Sequence, residues 1–473
     1  MGGRLARGVF WSFAGTAISR GLVLAATVTI ARILGKVEFG EVGIIQSTVG
    51  MFGVFAGFGL GLTATKYVAE FREKDPVQAG RILGLSSTVA VISGGLMAGV
   101  LVLAAPWLAS ETLNAPHLAG PLRVGALILF FSALNGAQTG ALAGFEAFRT
   151  IARVNVVVGF VSFPLLLLGA YLGGVLGVVW ALAVNLGIHW VLNHLAVRRE
   201  ATSASVPFNV RFTSAEARIL IHFSLPSAVN GLLIAPANWG ARALLVRQPG
   251  GYEDMGIVAA ALTFQALVLF VSGALSAPLL SMLSKDSDSN TSALAKINIL
   301  SSWALGVYSA LPLLAFPALA ELVFGGEYSG YDFRLTVALL VVTTCIVTYK
   351  AGLARVLAAR DLLWWGVVEN TLWATALIGF AVLLVPLGAP GFAGAILISY
   401  VLITVIFVPL YSGKQLVPMG TLMSIPALGV WSVLFLLAFL GVTVGNQALQ
   451  LLLFVAALAV VTYCFVVIYK SQV

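Results

Sequence analysis

Long apolar segments with few charges recur along the whole chain and constrain its fold more than any other feature. Of the 473 residues, 60% are hydrophobic and only 9% are charged, whereas ordinary soluble domains carry about 25% charged residues. About 20 consecutive apolar residues suffice for a helix to cross the hydrocarbon core of a bilayer. The chain has fourteen candidate spans: 8–30, 41–64, 81–105, 123–144, 153–173, 175–196, 217–245, 255–280, 298–320, 334–354, 363–387, 391–411, 420–440 and 447–469. We therefore predict an all-α, polytopic membrane protein with about 14 transmembrane helices.

Lysine and arginine residues are distributed unevenly between the two sides of this topology. With the N-terminus placed in the cytoplasm, 19 of the 26 basic residues fall on the inner side, 6 fall on the outer side, and Arg20 lies within the membrane. Basic residues accumulate on the cytoplasmic side of membrane proteins. The asymmetry therefore predicts a multi-pass protein of the inner (cytoplasmic) membrane with both termini in the cytoplasm. We expect the first span to be retained rather than removed as a signal peptide.

The first span, from Gly8 to Leu34, carries Arg20 near its middle. At 1.5 Å per residue, this arginine lies about 18 Å along the helix from Gly8, close to the bilayer midplane. Ser12 and Thr16 fall within about 100° of it on a helical wheel. A charge at this depth usually faces a water-filled cavity or a protein interior. We expect Arg20 to face such a cavity with Ser12 and Thr16 as lining; the alternative is pairing with backbone carbonyls or a carboxylate.

Two halves of the chain resemble each other at a nearly constant offset. Residues 39–44 (FGEVGI) are matched by residues 252–257 (YEDMGI), 213 positions later, and Asn155 is echoed by Asn370 at an offset of 215. Such repeats are typical of transporters built from two parallel halves. We predict two pseudo-symmetric six-helix bundles at 1–196 and 217–411, a cytoplasmic linker at 197–216, and an accessory two-helix hairpin at 412–473.

The span at 217–245 is the counterpart of the first span and also carries a polar stripe. Asn230, Asn238 and Arg242 fall within an arc of about 120°, so we expect the two stripes to line a cavity between the halves. Arg242 lies near the outer end of its span, and extension of its side chain to the interface is an equal alternative. Arg32 and Arg247 are expected to be interfacial anchors, with a place at the outer mouth of the cavity as the alternative.

No catalytic constellation is present in the sequence. It contains no GxxxxGK[ST], HExxH or GxSxG motif, and its four histidines and two cysteines match no metal-site spacing. We therefore expect no enzymatic activity, no cofactor, no metal and no nucleic-acid partner, and we expect both cysteines to be buried free thiols. A cavity that contains arginines and almost no acids favours an anionic ligand, because guanidinium binds phosphate in a bidentate manner.

A few other polar residues lie within the predicted spans. Glu369 is the best candidate for an ion-coupling carboxylate, although an ion pair with Lys350 or Arg360 is the favoured alternative. Asn185, His189 and Asn193, spaced by four, favour a polar packing seam over a proton relay. Asn135 and Gln138 are expected to make hydrogen bonds between helices. The run at 66–76 (KYVAEFREKDP) favours a solvated loop, with contact to anionic lipid as the alternative.

Two segments, ARILGKVEFGEVGIIQS at 31–47 and GFGLGLTATKYVAEFREKDP at 57–76, resemble the amino-terminal signature of polysaccharide-biosynthesis flippases. These are Wzx-type exporters of lipid-linked repeat units in the multidrug/oligosaccharidyl-lipid/polysaccharide (MOP) superfamily. The resemblance is strongest over 8–90 and extends through the twelve-helix repeat. It implies a MOP-type fold, in which a V-shaped pair of bundles surrounds a cationic cavity. It also implies that Arg20 and Arg242 hold the diphosphate of a polyprenyl-linked glycan.

The expected function is that of a flippase that moves polyprenyl-diphosphate-linked oligosaccharide repeat units to the outer leaflet for surface polysaccharide (O-antigen) assembly by alternating access. The partners implied are the lipid-linked glycan, membrane lipids, a polysaccharide polymerase and a chain-length regulator. A lipid II flippase of peptidoglycan synthesis is the first alternative. A cation-coupled multidrug exporter is disfavoured by the scarcity of intramembrane carboxylates, and a membrane scaffold is disfavoured by Arg20.

Overall fold

Helices form the regular structure in a computed structural model that describes residues 2–57, 60–207, 231–273, 291–359, 362–414 and 424–470. The α-helices are α1 (Gly2–Gly57), α2 (Leu60–Phe71), α3 (Pro76–Trp107), α4 (Ala119–Gly144), α5 (Phe148–Ser203), α6 (Gly231–Val246), α7 (Gly251–Gly273), α8 (Thr291–Ala315), α9 (Ala318–Phe324), α10 (Tyr331–Ala359), α11 (Leu363–Leu384), α12 (Gly388–Gly413), α13 (Ile425–Thr443) and α14 (Gln447–Lys470). Short turns of π- or 3₁₀-helix lie at Leu108–Thr112, Pro116–Leu118, Gly326–Tyr328 and Val385–Leu387. The all-helical class predicted from the sequence is confirmed for these residues.

Ten helical segments in the described part of the chain are long and apolar enough to cross a membrane. Three of them are much longer than one crossing requires: 17–57 has 41 residues, 148–203 has 56 and 364–413 has 50. A straight helix of 56 residues would extend about 84 Å, against about 30 Å for the hydrocarbon core. Each of these three segments contains a glycine whose backbone is not helical, namely Gly35, Gly174 and Gly388.

The chain reverses direction at Gly174 and again at Gly388. Gly174 has φ 53° and ψ −135°, a conformation that only glycine adopts without strain. A Cβ on Gly169 would lie 2.5 Å from the carbonyl oxygen of Gly177, although these residues would be about 12 Å apart in a straight helix. At Gly388, the backbones of Leu384 and Gly391 approach each other in the same way. Helix α5 is therefore a hairpin of two closely packed arms, and α11 and α12 form a second hairpin.

The chain divides into two compact units, Met1–Trp239 and Gly240–Val473. In the first unit, α5 packs against α1 and α4, and α4 packs against α2 and α3. Small residues allow close approach: Gly61 and Gly140 bring the backbones of α2 and α4 into contact, as is typical of membrane helices. Part of the core lies where the sequence predicts the linker at 197–216, because Val197, Ala201 and Val206 are buried among apolar side chains.

Helix α5 accordingly continues to Ser203, seven residues beyond the end of the predicted span at Ala196. Residues 208–230 lie outside the described part of the chain, and these include the second part of the predicted linker, 208–216. The division into compact units falls within α6, at Trp239. The first residues of α6 belong to the first unit, where the indole Nε1 of Trp239 donates a hydrogen bond of 2.9 Å to Thr48 Oγ1.

In the second unit, the C-terminal helices α13 and α14 pack against α8 through aromatic rings. The rings of Trp303 and Trp431 stack with centroids 5.0 Å apart, and Phe465 meets Trp303 edge-on at 5.0 Å. The Tyr308 hydroxyl bonds to Thr462 Oγ1 at 3.1 Å. Residues predicted as an accessory hairpin are thus joined to the unit by a buried aromatic cluster, since Trp303 is fully buried.

The two units repeat one structural device, in which a carboxylate lies beside the glycine at a hairpin turn. A Cβ on Gly174 would lie 3.3 Å from Glu38 Oε2, and a Cβ on Gly388 would lie 2.8 Å from Asp254 Oδ1. The two glycines are 214 positions apart. This spacing lies within the 213–215 offset of the sequence repeat. The two glycines were not among the sequence matches, so they are independent support for the internal repeat.

Candidate functional site

Arg20 lies on the part of α1 that precedes Gly35, with its side chain exposed. The face of α1 that packs against the first arm of α5 is a neighbouring one: a Cβ on Gly159 would lie 3.1 Å from Ser19 Oγ and 3.4 Å from Leu22 Cδ1. Ile18 and Val23, also exposed, are apolar. Among the described residues, Arg20 takes part in no hydrogen bond and no ion pair. No carboxylate of the described chain therefore neutralises it.

The other predicted cavity residues are only partly described. The side chains of Ser12 and Thr16 and the whole of Asn230 lie outside the described part of the structure. Asn238 Nδ2 donates to the carbonyl oxygen of Ile234 at 2.9 Å, a bond within its own helix. Arg32, on α1, is exposed.

Arg242 and Arg247 belong to the second unit, whereas Arg20 and Asn238 belong to the first. Arg242 is partly buried on α6, between the buried Ala241 and Ala243, and Arg247 is exposed just beyond the end of that helix. A shared cavity that brings Arg20 and Arg242 together remains a prediction.

Glu369 is buried inside the second unit and paired. Its Oε1 lies 2.7 Å from Lys350 Nζ on α10, and its Oε2 accepts a hydrogen bond of 2.9 Å from the Tyr411 hydroxyl on α12. Both charged side chains are largely buried, at 15% exposure for Lys350 and 7% for Glu369. The ammonium also lies 5.2 Å from the centre of the Tyr400 ring. The predicted pairing with Lys350 is confirmed, whereas Arg360 lies outside the described residues.

A polar seam joins α4 to the second arm of α5, as the spacing of its residues predicts. Asn193 Nδ2 donates to Asn135 Oδ1 at 3.0 Å, and Asn135 Nδ2 donates to the carbonyl oxygen of Leu186 at 3.0 Å. After reorientation of its amide, Gln138 exchanges two hydrogen bonds of 3.1 Å with Trp190. These amides therefore serve helix packing, the role that the sequence favoured.

Two polar contacts were not predicted from the sequence. Arg355, assigned to the cytoplasmic side by the charge count, is buried at 8% exposure; its Nε donates to Asn298 Oδ1 at 2.7 Å and its Nη2 to Ser302 Oγ at 2.5 Å. In the first unit, His117 Nε2 lies 2.7 Å from the buried carboxylate of Glu41. Partners 57 and 76 residues apart give no local sequence signal, so neither contact could be recognised from spacing.

Glu321 lies outside the candidate membrane spans and forms an ion pair with Arg334, near the start of the span at 331–357. Glu321 on α9 accepts hydrogen bonds from Arg334 Nε at 2.7 Å, from Arg334 Nη2 at 2.8 Å and from the Gly330 backbone at 2.8 Å. Partial burial raises the pKa of the Glu321 carboxyl, but the bonds from Arg334 and Gly330 outweigh this effect. The net result is a pKa below the ordinary value, which means that folding favours the charged carboxylate.

No cluster of three or more histidine, cysteine or acidic side chains suited to a metal occurs in the described part of the chain. Cys345 and Cys464 are buried free thiols, as predicted. The arrangement offers an exposed cation on an apolar helix, a polar seam in which Asn185 Oδ1 has no hydrogen-bond partner within the described residues, and a buried ion pair. The first can attract an anion, and the other two fix helix positions.

A family model described as "Polysaccharide biosynthesis protein" matches residues 5–248, slightly more than half of the chain. The chain belongs to this family. The match includes α1 from residue 5 onward with Arg20, the whole of α2 to α5, and Arg242 and Arg247. The family resemblance suggested by the segments at 31–47 and 57–76 is thereby confirmed at the level of polysaccharide biosynthesis proteins.

A lipid III flippase of Escherichia coli (strain K12) is 29% identical to this polysaccharide biosynthesis protein over 180 residues, which cover 37% of this chain and 42% of that protein. The chain therefore aligns with less than half the length of this curated relative.

Solved structures show the same fold at low sequence identity. The inward-facing conformation of a multidrug resistance MATE family transporter of the MOP superfamily has a TM-score of 0.71 at 15% identity, covering 86% of this chain and 98% of that chain. The lipid II flippase MurJ in its inward closed conformation has a TM-score of 0.70 at 15% identity, covering 97% and 99%. These likenesses show that the chain shares the overall fold of these transporter structures.

Proposed function

We propose that this polysaccharide biosynthesis protein is a flippase that moves polyprenyl-diphosphate-linked oligosaccharide repeat units from the cytoplasmic to the outer leaflet by alternating access. The observation that carries the proposal is Arg20. Its guanidinium is exposed on a membrane-length apolar helix and has no hydrogen-bond or ion-pair partner among the described residues. A charge in this position is costly unless it faces water or a ligand. The family match and the lipid III flippase relative support a lipid-linked glycan as the ligand.

The architecture that we propose has fourteen spans. The reversals at Gly174 and Gly388 allow the 56- and 50-residue segments to cross twice each, and a reversal at Gly35 would do the same for the 41-residue segment. With the shorter α6, the ten segments then become fourteen. We further propose two six-helix bundles at 1–196 and 217–411, with the linker and the C-terminal hairpin as predicted. Both termini would be cytoplasmic, in an inner membrane.

In this proposal, Arg20 and Arg242 bind the diphosphate from the two sides of a central cavity while the lipid tail remains in the bilayer. Guanidinium groups suit this task because they remain charged and bind phosphate oxygens in a bidentate manner. Ser12, Thr16, Asn230 and Asn238 would supply hydrogen bonds to the glycan, and Arg32 and Arg247 would attract it at the outer mouth. A polymerase and a chain-length regulator would receive the flipped unit. The protein itself would catalyse no reaction.

The decisive experiment replaces Arg20 with alanine and with lysine. In vesicles loaded with lipid-linked oligosaccharide, we expect Arg20→Ala to abolish transfer to the outer leaflet. Arg20→Lys should restore it only in part, because lysine keeps the charge and loses the planar fork. Both variants should insert and fold normally, since the exposed side chain makes no hydrogen bond or ion pair within the described residues.

The matched control is Arg123→Ala, which removes an exposed arginine from α4, outside the proposed site. It should transport as the wild type does. Wild-type transport by Arg20→Ala would contradict the proposed role of the guanidinium. Equal loss in Arg20→Ala and Arg123→Ala would show that net charge, rather than diphosphate binding, governs the assay.

A lipid II flippase is the second candidate, because the solved structure of the lipid II flippase MurJ aligns with 97% of this chain. The same vesicles distinguish the two candidates when lipid II and a lipid-linked repeat unit are supplied in turn. We expect transfer of the repeat unit and little transfer of lipid II. The reverse preference would replace the proposed substrate and leave the proposed role of Arg20 intact.

Coupling to an ion gradient is proposed through Glu369. A proton or a cation that reaches this carboxylate must displace Lys350, which lies 2.7 Å away. We expect Glu369→Gln to leave gradient-independent exchange of substrate intact and to remove stimulation by an imposed gradient. Unchanged stimulation in this variant would assign the pair a structural role alone.

A further inference from the structure

The two arms of α5 end side by side. The Thr150 hydroxyl on the first arm donates a hydrogen bond of 2.8 Å to Glu200 Oε1 on the second arm. Since the arms run in opposite directions from Gly174, residues near 150 and residues near 200 lie at the same end of this hairpin. The charged residues of both termini of α5 are thus collected in one place.

Four arginines occupy this end of the hairpin: Arg149, Arg153, Arg198 and Arg199. All four are exposed, and none of the four guanidinium groups takes part in a hydrogen bond or an ion pair within the described part of the chain. Glu200 is the only acid in α5, and it accepts the Thr150 bond. The neighbouring Glu146 is bound 2.9 Å from Arg72. The hairpin end is therefore an exposed basic surface with a net charge of about +3.

On each arm, the arginines continue an exposed apolar stripe. On the first arm, Arg149 and Arg153 lie within an arc of about 100° that also holds four exposed apolar side chains, Val157 (47% exposed), Phe160 (59%), Leu168 (57%) and Tyr171 (82%). On the second arm, Leu195 (58%), Val191 (46%), Val184 (46%) and Trp180 (47%) precede Arg198 and Arg199 along one face. A helix face of this kind meets acyl chains along its length, so the arginines lie where lipid headgroups begin.

We propose that the four arginines at the end of the α5 hairpin form a binding site for acidic phospholipid headgroups. The phosphodiester would bind between the guanidinium groups while the acyl chains lie along the apolar stripes. Charge complementarity and the continuity of the basic and apolar surfaces both favour a lipid over a soluble polyanion. The proposed site differs from the run at 66–76, where the sequence favoured a solvated loop with lipid contact as the alternative. The loop prediction was wrong for residues 66–71, which belong to α2 and include the buried Val68. This site is separate from Arg20.

The test measures lipid binding to the full-length protein in detergent by native mass spectrometry. Phosphatidylglycerol and phosphatidylcholine are titrated against the wild type and two double variants, R149Q/R153Q and R198Q/R199Q. We expect the wild type to retain phosphatidylglycerol in preference to phosphatidylcholine. Each double variant should lose about tenfold or more in phosphatidylglycerol affinity, since each basic group near an anionic lipid surface contributes strongly. Phosphatidylcholine binding should not change.

The matched control is R123Q/K470Q, which removes two exposed basic residues remote in sequence from α5. It should bind phosphatidylglycerol as the wild type does. Equal loss in this control, equal wild-type affinity for the two lipids, or wild-type affinity in both α5 variants would each overturn the proposal. Preferential capture of a single-stranded oligonucleotide would overturn it in favour of a soluble polyanion. Arg20→Ala should leave lipid binding unchanged, so failure of the flippase proposal and failure of this site can be told apart.

Discussion

The buried ion pair between Lys350 and Glu369 should be stabilising only as a pair, and a double-mutant cycle can show this. The side chains are 15% and 7% exposed and their charged atoms are 2.7 Å apart. Removal of one partner leaves a buried charge without its counterion, whereas replacement of both by apolar residues of similar size leaves none. The perturbations are Lys350→Met, Glu369→Leu and the double substitution.

The structure sets the expected magnitudes. Breaking a buried pair costs about 3–5 kcal/mol, and we expect Lys350→Met to fall near the lower limit because Glu369 keeps its hydrogen bond from Tyr411. Glu369→Leu should cost less, since the ammonium remains near the Tyr400 ring at 5.2 Å and a cation–π contact contributes up to about 2 kcal/mol. The double variant should lie within about 1 kcal/mol of the wild type.

The assay is thermal unfolding of the purified protein in detergent, followed by tryptophan fluorescence. For a unit of this size, 1 kcal/mol corresponds to roughly 2–4 °C, so Lys350→Met should lower the apparent melting temperature by about 10 °C. Lys414→Met is the matched control. Lys414 is exposed and lies 3.9 Å from the centre of the Trp365 ring, and its loss should cost less than about 1 kcal/mol.

Two results would refute this reasoning. If Lys350→Met cost no more than Lys414→Met, the pair would behave as a solvated surface pair despite its burial. If the double variant lost as much stability as the two single variants added together, the two charges would not be coupled. Either result would also remove the energetic basis for a coupling role at Glu369, because a proton or cation could then bind without competing with Lys350.

Three further outcomes are expected. Gly174→Ala should lower the free energy of unfolding by about 1–3 kcal/mol, because a φ of 53° disfavours any side chain. Gly173→Ala should be nearly neutral, because the space around Gly173 is open. Thermal unfolding of the two variants tests this difference. Asn193→Leu should cost about 1 kcal/mol through the lost bonds between helices, measured in the same way. The stabilising contribution of the Glu321–Arg334 pair should be present above the ordinary glutamate pKa and should be lost as the pH falls through the lowered folded-state pKa. Unfolding midpoints of the wild type and Glu321→Gln should therefore converge at acidic pH.

Apolar run length predicted the helices well, because crossing a bilayer imposes a composition that can be read locally. The predicted break between 173 and 175 is correct to the residue, since α5 reverses at Gly174. The predicted span at 175–196, by contrast, ends seven residues before α5 ends at Ser203. The following segment, VRREATS, is polar and reads as a loop, yet Val197 and Ala201 are buried against other helices. That burial depends on tertiary packing and leaves no mark in local hydropathy.

Ion-pair and hydrogen-bond partners could be predicted only where few candidate residues were available. Few cations lie near Glu369, so Lys350 could be named, but the Tyr411 hydroxyl that completes the site comes from another helix 42 residues later. The burial of Arg355 could not be predicted for a related reason. The charge count placed this residue on the cytoplasmic side, and its partners Asn298 and Ser302 come from another helix more than 50 residues away. An arginine can be buried wherever neighbouring helices supply acceptors, and those helices are not adjacent in sequence.

The repeat preserves the backbone framework while its polar groups have diverged, and this asymmetry bears on the proposed ligand site. Glu41 and Asp254 occupy matching positions, 213 residues apart, yet Glu41 pairs with His117 whereas Asp254 accepts a hydrogen bond of 2.9 Å from the Ala389 backbone. Arg20 and Arg242 are 222 positions apart, eight more than the spacing of the hairpin glycines. Eight residues correspond to about 12 Å along a helix. The two arginines therefore do not occupy equivalent positions in the repeat, and we expect each to make its own contact with the diphosphate rather than to act as one half of a symmetric pair.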